Sequence, residues 1–171
     1  MREITIDRLV RIYILITAVN LAVAVGFTLP VLVPEFTFPL ILTIWPGTWM
    51  FFAYFAFLIA GVLAPLGWAL IWDLSKKYYQ KVAVSKYLAM ASIYLTLVGV
   101  YGQSSLMFAL GYTGGYAALV GVGKSIITRG LIGWMVVPIG VFIYLYLLGT
   151  VAGIAGLALS KRSAANAGQS V

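Results

Sequence analysis

Four carboxylates, Glu3, Asp7, Glu35 and Asp73, are all the acid groups the sequence offers, and it contains neither His nor Cys. The four are too scattered to form a general acid/base pair. Without thiolate or imidazole there is no disulfide, no zinc-thiolate site, no iron–sulfur cluster, and no His ligation of haem, copper or zinc. The chemistry left to the chain is that of amides, hydroxyls and eleven Lys/Arg. Asp7 and Arg11, four residues apart, suit a solvated pair at a helix mouth, and Asp73 suits an interfacial pair with Lys76 or Lys77. The densest polar cluster inside an apolar run is Gln103-Ser104-Ser105 beside Tyr101. Tyr101, Gln103, Ser104 and Ser105 are therefore the candidate contacts for a quinone, a lipid headgroup or a partner helix. Thr17, Asn20, Thr43 and Thr48 are further polar residues at depth, and each can hydrogen-bond across helices.

These groups must be positioned by elements that live in a bilayer. The chain of 171 residues is 63% apolar and 9% charged, with a mean hydropathy of +1.07, whereas soluble domains are about 45–50% apolar and about 25% charged. At about 20 residues per span the length accommodates four transmembrane helices. Span one is expected over Leu9–Val33, closed by Pro30 and Pro34, and its length reads as a retained anchor rather than a cleaved signal. Span two is expected over Phe38–Trp72, whose uncharged run would reach about 52 Å as a helix against a hydrocarbon core of about 30 Å. Tilting, or bending at Pro46 and Pro65, must absorb the excess. Asp73–Lys86, with Lys76, Lys77, Lys81 and Lys86 around Tyr78 and Tyr79, reads as a water-exposed loop. Span three follows over Tyr87–Leu110. Gly111–Arg129, apolar but holding five glycines, suits a segment that is re-entrant or lies in the interface, and span four is Gly130–Leu159.

The expected architecture is thus an all-α, four-helix transmembrane bundle over residues 1–160, with residues 161–171 a disordered polar tail. Nine of the eleven cations (Arg2, Arg8, Arg11, the four lysines of the central loop, Lys161 and Arg162) fall on the side that carries both termini, against Lys124 and Arg129 on the other. The positive-inside rule makes both termini of this multi-pass cell-membrane protein cytoplasmic. The net charge of +7 is an orientation signal, with contact to anionic lipid at Lys76–Lys86 as a general expectation. Nucleic acid is not an expected partner, because no basic soluble surface is present. No ionisable side chain falls in the middle of a span, which argues against a proton relay or an ion-coupled carrier.

Small residues recur at packing intervals. In span four Gly149, Ala152, Gly153 and Gly156 make overlapping small-xxx-small steps, and Gly99, Gly102 and Ala109 do something similar in span three. These faces allow close backbone approach, either to each other within the chain or to a second subunit.

Leu42–Phe52 reads LTIWPGTWMFF and resembles the second helix of the haem-copper oxidase catalytic subunit, which enters from the outer side through a Thr-x-His-Gly-x-x-Met type motif followed by aromatic residues. Ile6–Gly26, IDRLVRIYILITAVNLAVAVG, is similar to that family's first helix, which begins with an Asp/Arg-rich cytoplasmic stretch. The resemblance covers spans one and two only. It departs at the haem ligand: Pro46 stands before Gly47 where the family has His, so imidazole can hold no haem here. The resemblance implies a degenerate or accessory relative without oxygen-reducing activity, placed beside a subunit that binds the metals.

From these observations the chain is expected to be a non-catalytic accessory subunit with no cofactor of its own, in contact with lipids and other membrane subunits. The expected complex is a respiratory terminal oxidase or a similar quinone-linked electron-transfer complex. The alternative is a stand-alone membrane carrier or quinone-interacting subunit for hydrophobic small molecules, using Tyr101, Gln103, Ser104, Lys124 and Arg129.

Overall fold

The computed structural model describes residues 3–34 and 47–162. Four helices in it are long and apolar enough to cross a membrane: Ile6–Leu29, Thr48–Tyr79, Lys86–Leu119 and Lys124–Ala158. The protein is accordingly a membrane protein built on four spanning helices. The elements in chain order are strand β1 (Glu3–Thr5), α1 (Ile6–Val31), α2 (Thr48–Ala56), a π-helical segment Phe57–Leu63, α3 (Ala64–Tyr79), β2 (Lys81–Ser85) and α4 (Lys86–Leu119). The short α5 (Lys124–Ile126), a π-helical turn Ile127–Ile132 and a 3-10 turn Gly133–Met135 then lead into α6 (Val136–Ala158), and β3 (Lys161–Arg162) follows.

Both π-helical stretches lie shortly before a proline. Pro65 has no N–H to give the Gly61 carbonyl four residues earlier, and Pro138 has none for Trp134, while each ring crowds that same carbonyl. Widening the preceding turns is one way a helix absorbs this. The expected distortion near Pro65 is therefore a π-helical segment within a continuous span; Pro46 and Thr43 lie outside the described residues.

Three expectations are corrected, the first being that Asp73–Lys86 is a loop: α3 runs on through Tyr79 and β2 follows over Lys81–Ser85. Gly111–Arg129 is neither re-entrant nor laid along the surface: α4 continues to Leu119, Gly121 turns the chain at φ 84°, and the next helix begins at Lys124. Gly111 sits within the continuing helix and serves packing. A Cβ on Gly111 would stand 2.3 Å from the backbone nitrogen of Met50, so the lack of a side chain lets spans two and three touch. The fold is also not purely helical. Gln80 caps α3 in the left-handed region at φ 52° and reverses the chain into β2, which pairs antiparallel with β1 (Ile4 opposite Val84) and with β3 (Lys81 opposite Arg162). The first two residues of the expected disordered tail, Lys161 and Arg162, are therefore strand. Strands of two to five residues, in which Ile4 and Val84 are the buried positions, are too short for a period-2 pattern to show.

Spans one, two and three form a triangle. Span one packs along α3 and the π-helical segment, and α2 packs on α4. Phe27 of span one meets both Phe57 of span two and Phe108 of span three, with ring centroids 5.3 and 5.4 Å apart. Span four lies along span three, its principal contact. Beneath the sheet, Ile4, Ile6, Leu9, Tyr13, Trp72 and Val84 are buried together, and this cluster joins the strands to the ends of three spans.

Candidate functional site

The polar residues of the spans converge at one depth. Asn20 lies 14 residues into α1 and Tyr101 15 residues into α4, each about 21–23 Å along its helix from the sheet end. Asn20 Nδ2 donates to the Gly61 carbonyl at 2.5 Å, and the Tyr101 hydroxyl donates to Asn20 Oδ1 at 2.7 Å. One buried amide thus ties spans one, two and three together. The Gly61 carbonyl is the one that Pro65 leaves without its α-helical donor, and Asn20 reaches it because span one packs on the π-helical segment. In hydrocarbon such a carbonyl has no water to turn to, which is why an amide on a neighbouring helix is worth holding there.

Two more bonds cross between helices. The hydroxyls of Tyr13 and Ser92 lie 3.3 Å apart, linking spans one and three nearer the sheet. Farther from it, the hydroxyls of Thr28 and Tyr54 lie 3.1 Å apart, linking spans one and two, while Thr28 Oγ1 donates to the Ala24 carbonyl of its own helix.

Of the residues singled out in the sequence, Asn20 and Tyr101 belong to this network, and Gln103, Ser104 and Ser105 do not. Gln103 and Ser104 are buried, the latter at 1% exposure, while Ser105 is exposed. Among the described residues Ser104 Oγ has no hydrogen-bond partner. The three therefore do not converge on one point, since successive residues of a helix point about 100° apart. Lys124 and Arg129 are not near Tyr101 either: the 18 residues of α4 from Tyr101 to Leu119 are about 27 Å of helix. Thr17 bonds only its own helix, at the Tyr13 carbonyl. Gly61, Tyr13 and Ser92 went unnoticed in the sequence; the signal for Gly61 was Pro65 four residues on, read as a bend and not as a freed acceptor.

The small residues of span four face inward. A Cβ on Gly149 would lie 2.7 Å from the Thr96 backbone nitrogen, and one on Gly153 would lie 2.7 Å from Ser92 Oγ and 2.9 Å from the Trp68 ring. On the facing helix, a Cβ on Gly99 would meet the Phe142 carbonyl oxygen at 2.7 Å, and one on Gly102 would enter the Phe142 ring. Gly156 has Val84 of β2 at 3.3 Å, and Ala152 is half-buried in the same helix.

Charged groups gather at the sheet end. Lys76 Nζ bonds both carboxylate oxygens of Asp7, at 2.6 and 2.8 Å, so Asp7 pairs across helices with Lys76, and not with Arg11 as its spacing suggested. Lys76 is likewise engaged by Asp7 and not by Asp73. Lys161 pairs with Glu3 at 2.6 Å. Lys81 Nζ donates to the Leu157 carbonyl, which also accepts from the backbone N–H and the hydroxyl of Ser160 at the end of α6.

The intramembrane network consists of neutral donors and acceptors. It can hold helices in register or receive a carbonyl or hydroxyl from a neighbour, and it contains no carboxylate, ammonium or guanidinium. Comparisons with protein-family models, with curated proteins and with solved structures find no match to this chain.

Proposed function

We propose that the chain is a non-catalytic subunit that packs against and stabilises a larger complex of the cell membrane, with both termini on the cytoplasmic side. The observation that carries this reading is the one-sided packing of span four. Its glycine face is turned to span three, whereas Val137, Val141, Tyr144, Leu147 and Val151 form an exposed apolar side along the rest of its length. A helix held on one face only, at the flank of a triangle of helices, offers a neighbouring subunit a long apolar surface. The hydrogen bonds centred on Asn20 support the same reading, because they lock three helices together and leave span four as the outward layer.

That the complex is a respiratory terminal oxidase, or a similar quinone-linked electron-transfer complex, is supported by the sequence of spans one and two alone. The part of that motif from Leu42 to Pro46 lies outside the described residues.

Affinity purification of the tagged chain in mild detergent tests the proposal. The chain should migrate on blue-native gels within a larger haem-bearing complex. Stripped of its partners it should show no Soret absorbance and no stoichiometric iron, copper or zinc. A monodisperse chain that purifies alone and moves a hydrophobic substrate or reduces a quinone would overturn the assignment.

A further inference from the structure

Two apolar grooves flank the inner end of span two, and their charges differ. Between α1 and α3, Val10, Ile14, Leu63, Leu66 and Leu70 line about 710 Å³, with Asp73 as the charged residue. Between α3 and α6, Ile71, Leu74, Ile154 and Leu157 line about 540 Å³, together with Tyr79, Lys81 and Arg162. The second groove joins hydrocarbon walls to two cations at the end of the bundle.

Those cations are held side by side by the β-ladder, in which Lys81 is the register partner of Arg162. Like charges directly opposite in a sheet repel. Their neighbours in this region are neutralised, Lys76 by Asp7 and Lys161 by Glu3, yet among the described residues neither Lys81 nor Arg162 meets a carboxylate. Lys81 is fixed by its bond to the Leu157 carbonyl, which pins its ammonium at the groove. The result, among the described residues, is a pair of positive charges without a carboxylate partner over an apolar channel between two membrane helices.

We propose that this groove binds one anionic phospholipid, with the phosphate between Lys81 and Arg162 and the first part of an acyl chain against Ile71, Leu74, Ile154 and Leu157. A soluble anion would leave the apolar walls unused, and an apolar molecule would leave the two cations unpaired. A zwitterionic headgroup brings its own cation to a site that already has two. The volume falls within the range of specific small-molecule sites, about 300–1,000 Å³. This inference rests on the four spanning helices and is independent of the subunit proposal. Attraction of anionic lipid is roughly fivefold per Lys or Arg near a membrane surface, hence roughly 30-fold for the pair.

The purified full chain, delipidated in detergent and supplied with equal amounts of phosphatidylglycerol and phosphatidylcholine, is read by native mass spectrometry. Wild type should retain one phosphatidylglycerol in preference to phosphatidylcholine. The double variant K81Q/R162Q should lose that preference by roughly 30-fold. The charge-matched control R8Q/K86Q, at the recess beside Glu3, should keep it. Should K81Q/R162Q lose its fold by circular dichroism, Ile154→Trp, which fills the groove and leaves both cations in place, should abolish retention instead. Excess inorganic phosphate should displace no lipid. The proposal is overturned if K81Q/R162Q or Ile154→Trp, when folded, binds phosphatidylglycerol like wild type, if the control loses it equally, or if inorganic phosphate displaces it.

Discussion

Replacing Gly99 by Ala adds one methyl group where the backbones of spans three and four nearly touch. The new Cβ would stand 2.6 Å from the Tyr146 backbone nitrogen, 2.7 Å from the Phe142 carbonyl oxygen and 2.7 Å from Tyr146 Cβ. Two of these atoms are backbone, so no rotamer change relieves the contact. Restoring ordinary contact near 3.4 Å from 2.7 Å requires a local separation of about 0.7 Å, and a gap of that size forfeits about a quarter to a half of each dispersion well. Overpacking of this kind costs about 1–3 kcal/mol. Gly140→Ala on span four is the matched reference: a Cβ there meets nothing within 4 Å, and Ala in a helix interior gains about 0.5–1 kcal/mol over Gly. Both variants share that helix gain, so they should differ by the overpacking cost alone, about 1–3 kcal/mol. Reversible unfolding in mixed micelles of mild detergent and sodium dodecyl sulfate, followed by far-ultraviolet circular dichroism, measures the difference. If Gly99→Ala were as stable as Gly140→Ala, the packing of span four on span three would be wrong.

The amide linking three spans should reveal itself in a double-mutant cycle. Asn20→Ala and Tyr101→Phe should show a coupling of about 0.6–2 kcal/mol in the same unfolding assay, and additive effects would mean that the bond is not made. Gly153→Leu should lower the steady-state level of the chain itself, because its side chain collides with Ser92 and Trp68 inside the protein; normal abundance with loss of a partner would instead place that face at a subunit boundary. Asp7→Asn should cost less than about 1 kcal/mol, and less still at high salt, because Asp7 is 61% and Lys76 46% exposed; a larger, salt-insensitive loss would contradict the exposed geometry. For orientation, a cysteine at Glu35 or Lys124 should react with an impermeant thiol reagent applied outside intact cells, and one at Lys77 or Lys161 should stay protected. The reverse pattern would invert the topology.

The sequence alone determined the solvent of this protein and its number of spans. Hydrocarbon has no hydrogen-bonding partners, so long uncharged runs must become helices whatever else they touch, and the apolar stretches accordingly match the four observed helices. Composition also bounded the chemistry, since absent imidazoles and thiols cannot be restored by folding. The Gly149, Gly153 and Gly156 steps were legible as a packing face for a related reason: in lipid, small residues at regular spacing mark where backbones approach.

Only the tertiary structure decided which helix that face meets, because a glycine pattern specifies closeness and not identity. The same limit hid the acceptor of Asn20. An amide in an apolar helix announces a hydrogen bond but not its acceptor, and the acceptor is a main-chain carbonyl on another span, exposed by a proline four residues later. The run Gly111–Leu119 looked like a break because glycine weakens isolated helices, whereas here Gly111 is where Met50 comes within reach. The strands escaped notice for the opposite reason. Glu3–Thr5, Lys81–Ser85 and Lys161–Arg162 are too short to carry a pattern, and each becomes a strand because the helices bring it beside the others. That convergence also set Lys81 against Arg162 and Asp7 against Lys76, pairings that no spacing along the chain contains.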